Sequence, residues 1–264
     1  MYAFGYHRPG SVADAVKLLA DHPDAKLLAG GQTFIPTLKQ RLAQPSDVID
    51  LGGIAELRGI RAEGDNLVIG AMTKHGEVAK DATVKSMIPA LADLAGVIGD
   101  TQVRNRGTLG GSISNNDPAA DYPGAVVGLG ATVITDRRRI AGDDFFTGLF
   151  ETALEEGEIV TAVSFPKPVA AAYEKFRNPA SRYAMVGVFV AKTASGVRVA
   201  VTGAGPCVFR LPEFEQALST NFAADAIQHL NVDASGLNAD IHASAEYRAH
   251  LVKVVAKRAL AKIG

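Results

Sequence analysis

The chain has 264 residues, 47% of them hydrophobic and 21% charged, with a formal net charge of −1. A near-neutral composition without a basic stripe excludes the electrostatics of a nucleic-acid binder, and no apolar run approaches the ~18 residues of a membrane span, so no stable membrane insertion is expected. The single cysteine, Cys207, excludes an intrachain disulfide, a thiolate zinc site and an iron–sulfur cluster held by this chain. The opening MYAFGYHRPGSVADAV lacks a basic segment leading into an apolar one, so a cytoplasmic protein is expected. The six histidines show no metal-ligand spacing and are expected at the surface or in the core.

In chain order, Ser11 and Asp14 form a capping pair ahead of a helix carrying Val16, Leu18 and Leu19. AKLLAG is a short buried strand that runs into Gly30-Gly31. A helix over 34–42 follows with Pro36 in its first turn, and SDVIDL is a second strand. This β–α–β order predicts parallel strands. LRGIRAEGDNLVIGAM then alternates like a hairpin, and KSMIPALADLAGV predicts one helix over 85–97. A second glycine run, TLGGSISNNDPAADYP, precedes a helix-like GAVVGLG and a strand, ATVITD. The basic DRRR at 136–139 is a turn between strands, and another strand ends at Pro166. KPVAAAYEKF carries the chain across a boundary. MVGVFVAKTASGVRVAVTGAG is an antiparallel hairpin through Ala194-Ser195-Gly196, and a final helix is capped by Ser244.

The two glycine runs draw the functional question. A strand ending in Gly-Gly and entering a helix exposes backbone N–H groups at a partly positive helix end, which suits a phosphate. Gln32 and Thr33 add side-chain donors. The second run offers Thr108, Ser112 and Ser114, followed by Asn115, Asn116, Asp117 and Asp121. Neither GxGxxG nor GxxxxGK[ST] occurs, so neither a Rossmann nor a P-loop nucleotide site is indicated. Two glycine-lined loops without a catalytic lysine fit a pyrophosphate held mainly by main chain, the glycines leaving room for it. A ligand-free helix-entry turn and N-cap duty for the aspartates remain the alternatives.

AGGQTFIP, VRNRGTLGGSISNNDPAADYP, FFTGLFETAL with GEIV, KFRNPASRYAMVGVFVA and TGAGPCVFRLPEFEQAL occur in one order along nearly the whole chain. In that order they resemble the FAD-binding medium subunit of molybdenum hydroxylases, the carbon monoxide dehydrogenase and xanthine dehydrogenase family. The resemblance implies an α+β fold. A two-subdomain FAD-binding domain of the PCMH/vanillyl-alcohol-oxidase-like type would cover 1–167 (subdomains about 1–55 and 56–167), with a small C-terminal domain of antiparallel sheet plus helices over 168–264. By position, Ala29, Gly30, Gly31, Gln32, Thr33 and Phe34 would form the first pyrophosphate loop, and Thr108, Gly110, Gly111 and Ser112 the second. Asp121 matches a carboxylate directed to the adenosine part, Ile159 a backbone contact to the flavin, Lys175 a lysine near the isoalloxazine and Tyr183 an aromatic beside it. For Lys175 a solvated surface role is the alternative, and for Tyr183 simple packing. Ser112 stands where many relatives carry Asn.

The resemblance further implies FAD in this chain, with molybdopterin–molybdenum on a large partner and [2Fe–2S] clusters on a small one, assembled as a dimer of heterotrimers. Electrons would pass from the clusters through FAD to an external acceptor, so no side chain of this chain is expected to act as a catalytic residue. Arg104 and Arg106, just before the second loop, would dock the iron–sulfur subunit or support the flavin by charge, unless they are plain surface arginines. The alternative reading is an FAD-less interaction subunit of the same fold.

Overall fold

A computed structural model describes residues 1–263. The N-terminal unit contains β1 (Gly5–His7), α1 (Val12–Asp21), β2 (Lys26–Leu28), α2 (Phe34–Lys39) and β3 (Asp47–Asp50). The Ser11 hydroxyl accepts a hydrogen bond from the Asp14 amide at 3.1 Å and so starts α1. The three strands pair in parallel in the order β1-β3-β2. The parallel pairing of the β–α–β segment is as its sequence predicts, while β1 is a three-residue strand too short to stand out as one. Leu51, Ile54 and Leu57, in two tight turns after β3, close a small core with Ala15, Ala25 and Ile49. That core also takes Met72 and Ile159 from the next unit, so the two halves share a hydrophobic seam.

The second unit begins with the hairpin of β4 (Ile60–Glu63) and β5 (Asn66–Gly70), turning through Gly64 at φ +60°. Next come α3 (His75–Lys80), α4 (Ala82–Met87) and α5 (Pro89–Gly96). The single helix expected over 85–97 is therefore two. Ile88 before the proline is forced out of the helical region (φ −142°, ψ 74°), and Pro89 opens the next helix. The chain continues through α6 (Thr101–Arg104), α7 (Leu109–Asn115), α8 (Tyr122–Gly128), β6 (Thr132–Thr135), β7 (Arg139–Ala141), α9 (Gly142–Phe145), the small ribbon β8 (Phe146–Gly148) and β9 (Glu151–Thr152), and β10 (Val160–Pro166). Its main sheet has the order β4-β5-β10-β6-β7, and every neighbouring pair is antiparallel.

The last unit carries β11 (Ala170–Arg177), β12 (Ala184–Thr193), β13 (Gly196–Thr202), β14 (Phe209–Arg210), α10 (Pro212–Thr220) and α11 (Ala245–Ile263). The segment expected to be a connector, KPVAAAYEKF, is largely β11, because eight residues of pairing with β12 override its alanine-rich composition. Both faces of this sheet are covered. Tyr173, Phe189, Ala191 and Ala200 face the second unit and join one core with Leu91 and Tyr122. The alternate positions, Val186, Val188, Val190, Val199 and Val201, face Phe214 and the inner side of α11, including Leu251, Val252 and Val255. Burial on both sides explains why MVGVFVA reads as a continuous apolar run. The whole is a mixed helix-and-sheet α+β fold with antiparallel sheets dominating.

Candidate cofactor site

The two glycine runs face each other across the junction of the first two units. A Cβ placed on Gly30 would sit 2.7 Å from the Cα of Gly107, and one on Gly111 would sit 3.2 Å from the Cβ of Ala29. One on Gly110 would press into Ala71 at 2.5 Å. The expected purpose of these glycines, room for a ligand, is corrected here: Gly30 and Gly110 let backbone approach backbone. They fasten the walls together rather than clear the space between them.

Beside this contact lies a cavity of about 600 Å³, within the usual size of ligand pockets. Ala29, Gly30, Gly31, Gln32, Thr33 and Phe34 line it from the first loop. Thr108, Gly110, Gly111 and Ser112 line it from the second, and Asp121, Ile159 and Tyr183 complete the expected set around the wall. Lys175 does not line it. Its side chain is 1% exposed, which excludes a solvated role, and its ammonium lies 2.9 Å from Asp121. Lys175 therefore stands behind the wall and acts through Asp121, because β11 runs beneath that carboxylate.

The two loops differ in their donors. Leu109 N donates to Thr73 O, Gly110 N to Ala71 O, Gly111 N to the Thr108 hydroxyl and Ser112 N to Thr108 O. The second loop thus has its Leu109 to Ser112 amides engaged within the protein and offers the hydroxyls of Ser112 and Ser114. Among the described residues, the amides of Gly30, Gly31, Gln32 and Thr33 donate to no protein acceptor. Gly30 and Gly31 are half-buried while Gln32 and Thr33 are exposed, so this row of free N–H groups is open to a partner in the cavity, and an anionic oxygen is one. The helices that follow are only six and seven residues long, so these amides matter more than any helix dipole.

The rest of the wall is apolar on one side and tightly wired on the other. Leu27, Met72, Ile98, Leu154, Val160 and Tyr183 offer flat contact surface. Asp121, 4% exposed, accepts from the Tyr173 hydroxyl at 2.5 Å and from Lys175. Burial raises its pKa, and the Lys175 charge opposes that rise. Gly187 on β12 makes this possible, since a side chain there would collide with the Tyr173 hydroxyl. Thr202 donates to the carbonyl of Ala120 at 2.6 Å and Gly203 N to that of Pro118 at 2.7 Å, so the C-terminal strands hold the 117–121 turn at Pro118, Ala120 and Asp121.

Glu158, also on the wall, is gripped by Arg138 (2.9 Å to each carboxylate oxygen), and these bonds pull its pKa down to about 2. The DRRR turn is thus a brace as well as a turn. Ile159 next to it donates its N–H to Asp136 at 2.7 Å and accepts from the Asp136 amide, leaving only a carbonyl lone pair for the backbone contact its position implies. Tyr183 is presented by a tight turn in which Asn178 caps Ala180 N and Ser181 N. Sequence reasoning did not single out His75. It lines the cavity at 5% exposure, and its Nδ1 has no partner. Burial first, and the Arg104 charge second, push its pKa down to about 4. Arg104 itself is occupied locally, donating to the carbonyls of Ile98 and Gly99.

Residues 2–168 match the sequence model of a family described as the FAD binding domain in molybdopterin dehydrogenase, and residues 171–263 match the CO dehydrogenase flavoprotein C-terminal domain. The chain belongs to the FAD-binding medium subunits of the molybdenum hydroxylase family. It is 36% identical to the carbon monoxide dehydrogenase medium chain of Hydrogenophaga pseudoflava, covering 97% of this chain and 96% of the relative. It is 35% identical to the nicotine 6-hydroxylase medium subunit of Paenarthrobacter nicotinovorans, with 99% and 98% covered. In structure it superposes on a chain of reconstituted CO dehydrogenase from Oligotropha carboxidovorans with a TM-score of 0.91 at 33% identity, covering 99% and 98%. The chain is thus a flavoprotein of an oxidoreductase family whose relatives are subunits of multi-subunit enzymes. The cavity fits the cofactor that names the domain: free amides for a pyrophosphate, apolar walls for a flat ring, and the required volume. Among the described residues no helix is long and apolar enough to cross a membrane.

Proposed function

We propose that the medium subunit holds FAD in this cavity as an electron relay, receiving electrons from [2Fe–2S] clusters of a small partner subunit and releasing them to an external acceptor. Substrate oxidation would then occur at a molybdopterin centre on a large partner. The row of unpartnered amides at Gly30 to Thr33, in residues that line the cavity, is the observation that carries the reading.

When bound, FAD supplies the ability to exchange electrons singly with one partner and in pairs with another. The protein positions and tunes it. The first loop would take the pyrophosphate on its amides, with the Ser112 hydroxyl opposite. Asp121, fixed by Tyr173 and Lys175, would accept a hydrogen bond from a cofactor hydroxyl or amine. Tyr183 and the apolar wall would cover the ring and limit water. His75 stays neutral at neutral pH and the Glu158 carboxylate is paired with Arg138, so neither adds an uncompensated charge to the wall.

The near-equal likeness to a CO dehydrogenase subunit and a nicotine hydroxylase subunit supports placing substrate choice outside this chain. Co-expression with a candidate molybdopterin subunit and a candidate [2Fe–2S] subunit from the same source tests the relay. The expected result is one assembled complex whose flavin absorption bleaches on adding the large subunit's substrate without oxygen. A complex that turns over with a separate dye while its flavin stays oxidised would refute it.

A further inference from the structure

The histidines carry no ligand spacing along the chain, yet the N-terminal unit gathers two of them around one carboxylate. His7 ends β1, His22 follows the last residue of α1, and Asp47 opens β3. His7 Nε2 lies 2.7 Å from Asp47 Oδ1 and His22 Nδ1 lies 3.1 Å from Asp47 Oδ2. The imidazole centroids are 5.0 Å apart, and one ligand atom from each of the three residues falls within 4.8 Å of the others.

We propose that His7, His22 and Asp47 form a binding site for a divalent transition-metal ion of the zinc type. Two imidazole nitrogens and one carboxylate oxygen are the donor set that Zn²⁺ and its first-row neighbours favour, whereas Mg²⁺ and Ca²⁺ require mostly oxygen. Tetrahedral ligands at about 2.0–2.2 Å from zinc lie roughly 3.2–3.6 Å apart. Small rotations of the two rings about Asp47 bring the donors into that range.

The backbone prepares this arrangement. Gly5 pairs with Asp47 across the parallel strands, and His7 projects from the same side of β1 two residues on. A side chain on Gly5 would collide with Asp47 Oδ1 and come 3.4 Å from His7 Nε2, so glycine leaves open the slot in which the two donors meet. The side chains of His7 and His22 are 30% and 36% exposed, so an ion enters from solvent and keeps a coordination position for water. Binding would tie the end of α1 to β1 and β3. None of the three residues lines the flavin cavity, so the site is separable from cofactor binding.

The test uses the full, tag-free chain after metal removal, titrated with Zn²⁺ by calorimetry and followed by thermal unfolding. The expected result is one saturable Zn²⁺ per chain, with Tm rising with Zn²⁺ concentration. His22→Gln and Asp47→Asn should each weaken binding at least about tenfold, a lower bound set by the cost of losing even a supporting group. Their FAD content should equal that of the parent, which shows that they fold. Absence of saturable Zn²⁺ binding in the parent overturns the proposal, as does equal affinity in the parent and in both variants. In either case the cluster is a hydrogen-bonded His–Asp–His network only.

Discussion

Lys175 shows how a single residue can be recognised yet misplaced. Its position in the resemblance suggested a flavin neighbour and its chemistry suggested solvent, but the structure buries it against Asp121. That partner is separated by 54 residues and both are covered by tertiary packing, neither of which a linear sequence displays. Removing one member of a buried pair leaves an uncompensated charge, at a cost of about 3–5 kcal/mol. Lys175→Met should therefore lower stability by that order and weaken FAD retention, while adding Asp121→Asn should recover much of the stability. Chemical denaturation of the single and double variants reads both effects. His75 gives a pH signature. Its folded-state pKa, about 4, lies below the 6.5 of the unfolded chain, so the unfolded state binds its proton first. Stability is therefore lost as pH falls from 6.5 toward 4, by roughly 3 kcal/mol for this group, and the term vanishes above that window. His75→Gln should flatten the denaturation profile across that range relative to the parent.

At the scale of elements, the two glycine runs were legible as a pair of loops, but their division of labour was not. The first has open amides, and the second engages its own through Thr73, Ala71 and Thr108, segments that only the folded chain brings near. Gly30→Ala should force the loops apart at Gly107, reducing FAD affinity at least about tenfold, the cost of losing ~1.4 kcal/mol of contact. Gly10→Ala, with no atom in its way, should change nothing in the same fluorescence titration. The one helix expected over 85–97 divides at Pro89 into Ala82–Met87 and Pro89–Gly96, because Ile88 before the proline leaves the helical region. The His7, His22 and Asp47 cluster was illegible for a plainer reason: its members come from three elements with no common period.

On the scale of the whole molecule, many of the hairpins and helices were readable one by one, because each carries a strong local pattern. How closely the units are joined was not. The C-terminal sheet completes the core of the second unit through Tyr173 and Phe189 and supplies the two side chains that fix Asp121. A chain ended after residue 167 should consequently expose that face, bind a hydrophobic dye and fail to retain FAD, even though every cavity residue except Ser181, Arg182 and Tyr183 is still present. The central claim, that the paired loops enclose FAD, is tested most directly by the flavin stoichiometry of the purified full chain, followed by titration with added FAD. The account predicts one FAD per chain at saturation, with the flavin absorption band present, and an at least about tenfold higher FAD concentration needed to reach it in Gly30→Ala. A folded chain that shows no flavin band even in excess FAD would contradict it and leave an interaction subunit in its place.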